Sequence, residues 1–182
     1  MTLSPVCHNT RPAGVLPEQE AAAFDLLERL GIDYDRVSHD AAFNMELCAE
    51  VGRALDVSVC KNLFLCNRQK TNFYLLMMPG DKPFKTKELS HQLGIARLSF
   101  ASPEDMEQYL DCTPGSSSIM GLANDAENKV QLLMDEDIKA GEYLGCHPCI
   151  NTSSLKLRTA DVLETFLPAV HHEPIFVHLT GE

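Results

Sequence analysis

Apolar residues along the chain follow helical spacing in some segments and alternate in others, which predicts both helices and strands. A helix is predicted between Pro17 and Gly31, because proline favours the first helical turn and glycine the position after the last. A second helix is predicted after residues 41–44, with Leu47, Val51 and Leu55 on one face. The N-terminal half is therefore expected to pack helices against a sheet.

Strands account for most of the remaining apolar runs. Lys61–Cys66 and Phe73–Met78 flank a polar turn, which predicts a β-hairpin. Further strands are predicted at 34–39, 97–100, 129–135, 142–145, 154–157 and 175–179, and further helices at 86–93, 102–110 and 159–167. Strands outnumber helices and do not alternate regularly with them. We therefore predict an α+β fold, with a mixed, largely antiparallel sheet surrounded by helices.

Length and composition fit one globular domain. The chain has 182 residues, 45% of them hydrophobic and 23% charged. We predict a flexible lead-in over residues 1–15 and a single domain over 16–182. We expect no membrane span and no secretory signal, because no apolar run is long enough and the first residues lack the signal pattern. Seven cysteines without a disulfide framework favour reduced thiols and a cytoplasmic location.

The net charge of −11 argues against a protein that coats nucleic acid non-specifically. A local basic segment, Lys82–Lys87, with Lys61, Arg68 and Lys70 near it in sequence, could still contact one end of a nucleic acid. The alternative is that these cations form an ordinary solvated surface.

The segment Thr113–Leu122 combines small residues, three consecutive serines and two glycines. Such a loop leaves its backbone N–H groups accessible, so they can face an anion or a polarised carbonyl oxygen. An ordinary surface turn is the competing interpretation.

Two other segments carry chemical groups. Lys61 begins an apolar strand, where it could stabilise an oxyanion or bind phosphate, or simply extend its amine to water. Cys146–Cys149 forms a Cys-x-x-Cys motif that encloses His147, so zinc or redox use must be considered. The absence of a second such pair favours half-buried thiols instead. His147 and Asn151 together could line a pocket wall.

Three segments in this order resemble the signature segments of the YbaK/ProX family: Cys60–Leu65, Pro114–Leu122 and Gly145–Thr152. These are aminoacyl-tRNA editing domains related to the insertion domain of bacterial prolyl-tRNA synthetase. The resemblance extends over about residues 18–166. Within the family the chain is similar to the free-standing PrdX/ProX-type deacylases, which remove alanine mischarged on tRNA-Pro.

The resemblance implies a mixed sheet curled into a partial barrel and an aminoacyl ester of tRNA as the substrate. It implies that Gly115, in the loop up to Ile119, helps backbone amides position the ester carbonyl. Lys61 would contact the terminal nucleotide and support developing charge, and His147 would shape the amino-acid pocket. It implies no metal and no cofactor.

The remaining site residues implied by the resemblance line the substrate pocket: Asn62, Ser116, Ser117, Ser118, Ile119, Gly121 and Asn151. Many family members carry proline where this chain has Ile119, and isoleucine lacks the fixed φ of proline. A small pocket that excludes larger side chains would accept alanine.

Several alternatives remain at this stage. The same chemistry could act on Cys-tRNA-Pro or another aminoacyl-tRNA. The domain could instead be a non-catalytic regulator that binds tRNA or an amino acid, or a zinc module built on Cys146–Cys149. The expected partner is the acceptor end of tRNA-Pro, with prolyl-tRNA synthetase as a candidate protein partner, no obligatory protein partner and no membrane.

Overall fold

The computed structural model describes residues 2–41 and 44–182, so residues 42 and 43 of the expected lead-in to the second helix lie outside the described part. Nine strands are assigned within these ranges. They are β1 Cys7–His8, β2 Tyr34–Ser38, β3 Cys60–Cys66, β4 Phe73–Pro79, β5 Ser99–Phe100, β6 Val130–Asp135, β7 Tyr143–Cys146, β8 Ser153–Arg158 and β9 Ile175–Val177.

Seven α-helical segments accompany the strands in the described ranges. They are α1 Glu18–Leu30, α2 Met45–Leu55, α3 Thr86–Leu93, α4 Pro103–Leu110, α5 Glu136–Ala140, α6 Thr159–Asp161 and α7 Leu167–Ala169. A 3₁₀ helix spans Ile119–Asn124, and a π-helical stretch, Val162–Phe166, joins α6 to α7.

The strands form two sheets, which confirms the predicted α+β class. The smaller sheet has the order β1-β2-β8-β7 and is antiparallel throughout. The larger sheet has the order β5-β3-β4-β6-β9, and it is mixed because β4, β6 and β9 run parallel. Neither sheet closes on itself, which agrees with the expected curled, open sheet.

In the described part of the chain, a bridge between Val59 and Gly145 links the larger sheet to the smaller one. A side chain at Gly145 would come within 3.4 Å of Ser58 and Val59, so glycine permits the close approach. We call this contact the sheet joint. The main hydrophobic core fills the space between the two sheets and α1, and a second core lies on the other face of the larger sheet, under α3.

Local signals in the sequence set most helix ends. Gly31 and Gly94 adopt left-handed conformations after α1 and α3, as their positions predict. Ser102 caps α4 by accepting a hydrogen bond from the Asp105 N–H at 3.1 Å. Thr159 is the first residue of α6, and its buried hydroxyl has no hydrogen-bond partner among the described residues.

The N-terminal segment differs from the expected flexible lead-in. Cys7 and His8 pair with β2, and the Asn9 side chain accepts the Tyr34 N–H at 2.8 Å. Arg11 bridges Asp25 and Glu28 of α1. The segment therefore adds an edge strand to the smaller sheet.

The C-terminal segment is tied to the larger sheet and to α3. His172 is buried and lies 3.0 Å from Asp125 through its Nε2 atom. The Glu88 carboxylate accepts from the backbone of Thr180 and Gly181. In the part of the chain that is described, no helix has the length and apolar character needed to span a membrane.

Candidate functional site

The serine-rich loop is a tight turn that needs a glycine. Gly115 has φ +86°, a conformation that strains residues with a side chain. The Ser116 N–H donates to the Thr113 carbonyl at 2.9 Å, which closes the turn. The Ser116 hydroxyl donates to the same carbonyl and accepts the Thr113 N–H, so it stabilises the loop itself.

Ser118 joins this loop to the segment that contains His147. Its hydroxyl is fully buried and donates to the His147 carbonyl oxygen at 2.5 Å. The same hydroxyl oxygen accepts the Met120 N–H at 3.1 Å and so caps the 3₁₀ helix. This hydrogen bond therefore joins two segments that are separated by almost thirty residues.

His147 is a buried imidazole, with 7% of its surface exposed. Its Nδ1 atom lies 3.0 Å from the carbonyl oxygen of Ser153. A carbonyl can only accept, so Nδ1 carries the proton and Nε2 carries the lone pair in the neutral ring. Burial lowers the pKa of His147 below its ordinary value, and the Ser153 carbonyl opposes this in part. The ring is therefore neutral at physiological pH.

A second histidine lies beside the first. The ring centroids of His39 and His147 are 6.4 Å apart. The Nε2 atom of His39 is 2.8 Å from the hydroxyl of Ser154, and its Nδ1 atom is 3.0 Å from the Asp40 carbonyl. His39 adds a polar wall to the site, and no motif in the sequence pointed to it.

Asn151 links the loop to the segment after β2. Its amide nitrogen donates to the Ala41 carbonyl at 3.1 Å. A Cβ atom placed on Gly115 would lie 3.9 Å from the same amide nitrogen. Three of the expected site residues, Gly115, His147 and Asn151, thus belong to segments that meet at one place.

Glu20 supports this cluster from α1 and was not identified from the sequence. Its carboxylate accepts the hydroxyl of Ser153 at 2.9 Å and is only 3% exposed. Burial raises the pKa of Glu20, while the bond from Ser153 opposes the shift. Its spacing could have indicated that it is buried, because Glu20 lies three and four residues before the buried Ala23 and Phe24 and so shares their face of α1.

Three other expected pocket residues have contacts inside the fold. Ile119 is fully buried in the main core. A side chain on Gly121 would come within 2.8 Å of the Leu110 carbonyl, so this glycine allows the 3₁₀ helix to pack on α4. The Ser117 hydroxyl donates to the sulfur of Met106 at 3.2 Å.

Lys61 and Asn62 occupy opposite faces of β3, because side chains alternate along a strand. Lys61 pairs with Met78 of the second core, and its amine donates to the Lys82 carbonyl. Asn62 pairs with Met77 of the main core. Its Oδ1 atom is buried and, among the described residues, has no hydrogen-bond partner. Asn62 therefore lies on the His147 side of the sheet, whereas Lys61 points to the other side.

The cysteines are free thiols, and the pKa of Cys60 is raised to about 12 by burial. Burial also raises the pKa of Cys146, and a hydrogen bond with Cys112 together with burial raises the pKa of Cys149, so none of the three is an activated nucleophile. Within residues 2–41 and 44–182, no group of three or more His, Cys, Asp or Glu side chains is arranged to hold a metal ion.

A groove of about 1160 Å³ lies at the N-terminal ends of β4 and β6 and is lined by His171, Glu173 and Pro174 among others. It contains none of the residues expected in the site. The expected site residues lie instead in β3, in the serine-rich loop and in the segment from His147 to Asn151, and they include a neutral imidazole, a buried amide oxygen and a glycine turn.

Comparison with known proteins finds relatives over most of the chain. The family model of the aminoacyl-tRNA editing domain matches residues 39–165. Over 145 residues the chain is 27% identical to the prolyl-tRNA editing protein ProX of Acetoanaerobium sticklandii, covering 80% of this chain and 88% of that protein. It is 28% identical to prolyl-tRNA synthetase associated domain-containing protein 1 of Danio rerio over 155 residues, covering 84% and 83%.

Solved structures share the fold. A crystal structure described as a proposed trans-editing enzyme for prolyl-tRNA synthetase superposes with a TM-score of 0.66 at 13% identity, covering 91% of this chain and all of that one. At this identity the similarity establishes the architecture alone.

Proposed function

Because the chain belongs to the aminoacyl-tRNA editing domain family, we propose that it is a trans-editing hydrolase that removes a wrong amino acid from tRNA-Pro. The proposed substrate is Ala-tRNA-Pro. The observation that supports it most is the bond from Ser118 to the His147 carbonyl, because it joins the glycine loop to the neutral imidazole. The names of ProX and its relatives support prolyl-tRNA as the tRNA class.

In the proposed reaction the oxygen of a water molecule attacks the ester carbonyl carbon. The bond from that carbon to the ribose oxygen breaks, the ribose oxygen takes one proton of the water, and the amino acid leaves as a carboxylate while the second proton passes to solvent. An aminoacyl ester is already activated, so the protein has to hold it, polarise its carbonyl and admit water. Backbone N–H groups of the loop around Gly115 are proposed to face the carbonyl oxygen. The vicinal ribose hydroxyl is proposed to help activate the water.

His147 and Asn62 are proposed to bind the amino-acid part. The buried Oδ1 atom of Asn62 is an acceptor that a substrate α-ammonium group could satisfy, which would remove the cost of leaving it unpaired. The neutral, buried His147 ring is proposed to form part of the pocket wall and to limit the size of the pocket. Lys61, on the other face of β3, is proposed to contact the terminal nucleotide rather than the ester.

The direct test is single-turnover hydrolysis of Ala-tRNA-Pro, with Pro-tRNA-Pro, Cys-tRNA-Pro and Ala-tRNA-Ala alongside. We expect alanine to be released from tRNA-Pro, Asn62→Ala to slow the release, and Lys61→Ala to slow it through weaker binding. Release of cysteine in preference to alanine would support the proposed hydrolysis and contradict the proposed specificity for alanine.

Binding of tRNA without hydrolysis of any of these esters would contradict the proposal and favour a regulator on the same fold.

The editing reaction consumes aminoacyl-tRNA, so the proposed location is the cytoplasm, where thiols such as those of this chain stay reduced. Prolyl-tRNA synthetase, which makes the mischarged substrate, is the proposed functional partner.

A further inference from the structure

A basic groove lies on the face of the larger sheet opposite His147. Its volume is about 1050 Å³. Five of the fifteen Lys and Arg residues of the chain line it: Lys61, Arg68, Lys85, Lys87 and Arg97. They come from β3, the turn after it, the start of α3 and the segment before β5. The fold thus gathers cations that are scattered over 37 positions in sequence, from 61 to 97.

No carboxylate lines this groove. Among the described residues, no ion pair joins Arg68, Lys85, Lys87 or Arg97 to an acidic side chain, and all four are exposed. Lys82 differs, because its amine contacts Asp135 at 2.8 Å and Asp137 at 2.7 Å. In a chain of net charge −11, cations with no acidic partner around one groove indicate a polyanionic ligand.

An exposed aromatic ring lies among the cations. Phe100 is 62% exposed and packs edge-to-face against Phe84, with ring centroids 6.1 Å apart. An apolar ring that remains in water offers a stacking surface for a nucleobase. Phosphate-binding cations beside a stacking ring match RNA better than an acidic protein segment, which has no planar bases to stack.

The groove leads towards the proposed active site. It follows β3, whose seven residues extend over roughly 20 Å. Arg68 lies beyond one end of that strand and Lys61 near the other, two residues after Val59 of the sheet joint. The other partner in that joint, Gly145, is two residues before His147. A strand of RNA along the groove would therefore reach the sheet joint, from which the chain continues to His147 on the other face of the sheet.

We propose that this groove binds the phosphate backbone of the acceptor end of tRNA and directs its 3′ end to the sheet joint. The proposal rests on the proposed function, since it assigns that substrate a path. Arg68, Lys85, Lys87 and Arg97 contact phosphates, and Phe100 stacks on a base. Lys82, although part of the basic segment 82–87, holds the aspartates and takes no part.

The test is binding of uncharged tRNA-Pro by fluorescence anisotropy between 50 and 200 mM salt. We expect Lys85→Ala/Lys87→Ala and Arg68→Ala/Arg97→Ala each to weaken binding about tenfold at low salt. Each pair should also reduce the salt slope by about 2, or about 1 per lost phosphate contact. Phe100→Ala should weaken binding and leave the slope unchanged. The matched control is Arg29→Ala/Arg53→Ala, which removes two exposed cations outside the groove.

Wild-type affinity and salt slope in both groove variants would overturn the proposal, and so would competition by polyglutamate as effective as that by tRNA. Uncharged tRNA carries no ester to hydrolyse, so its binding is measured independently of catalysis. Groove-dependent binding without hydrolysis would support the groove and contradict the proposed function. Hydrolysis with an unchanged KM in the groove variants would support the function and contradict the groove.

Discussion

The hydroxyl of Ser118 and the backbone carbonyl of His147 are joined at 2.5 Å in the interior of the protein. The loop that is proposed to face the ester carbonyl and the ring that is proposed to limit the pocket therefore cannot move independently. The buried hydroxyl of Ser118 is one of the contacts that hold the two segments together.

Replacement of Ser118 by alanine should affect both stability and activity. The variant leaves the buried His147 carbonyl without its donor and the Met120 N–H without its acceptor. We expect a loss of about 1–3 kcal/mol in the free energy of unfolding. Urea unfolding measures it, and single-turnover deacylation should slow in the folded variant.

The matched control is Ser117→Ala, because that hydroxyl contacts only the weakly accepting sulfur of Met106 among the described residues. It should lose less stability than Ser118→Ala. Equal losses in the free energy of unfolding of the two variants would show that the hydrogen bond from Ser118 to His147 stabilises the protein no more than the contact of Ser117 does.

Replacement of Gly115 by alanine should slow the reaction out of proportion to its effect on stability. The left-handed φ of +86° makes the substitution cost about 1–2 kcal/mol, or else the turn changes shape. Gly94→Ala is the control, since it has a left-handed φ of +66° after α3 and open space around it. Both variants should lose similar stability in urea, and only Gly115→Ala should lose deacylation activity. Loss of activity in both variants would contradict the proposed role of the loop around Gly115 in the reaction.

The buried His147 should make the protein less stable in mild acid. Its pKa is lowered in the folded state, so the unfolded chain binds the additional proton between that value and the ordinary 6.5. The free energy of unfolding should be unaffected by this group above pH 6.5 and should fall below it, by at most about 1.4 kcal/mol per pH unit.

Urea unfolding at several pH values measures this slope. His147→Gln should flatten it, whereas His91→Gln, at an exposed position of α3, should leave it in place. A slope that persists in His147→Gln would assign the acid sensitivity to another group.

The contribution of the buried Glu20 to stability depends on pH in the opposite sense. Its folded pKa is raised above 4.5, so its contribution to stability is present at low pH and is lost as pH rises through the raised value. Glu20→Gln keeps an acceptor for the hydroxyl of Ser153 and removes the buried charge. We expect it to increase the free energy of unfolding at pH 7.5 and to have little effect near pH 4. A loss of stability at pH 7.5 would show that the charge itself is required.

Local elements were predictable because their signals lie within a few residues. The hairpin of β3 and β4, the glycine ends of α1 and α3 and the Ser102 cap all follow from neighbouring residues. The fold class followed from the balance of strands and helices. The edge strand at Cys7 was missed because two residues carry too little periodicity, and its partner lies in β2.

The site was predictable in part, by resemblance and not by spacing. Side chains alternate along β3, so the face that carries Lys61 can be assigned once the core on each side of the sheet is known. The sequence does not show which core lies on which side. His39 and Glu20 reach the cluster through Ser154 and Ser153, contacts that span more than a hundred residues. No local pattern encodes such contacts.

Lys82 connects the end of the chain to the entrance of the basic groove. Its amine donates to the Leu179 carbonyl at 2.7 Å as well as to the aspartates, and its own carbonyl receives the amine of Lys61. A deletion that removes Leu179 would therefore take one acceptor from Lys82 and disturb Lys61, which lies 118 positions before Leu179 in the chain.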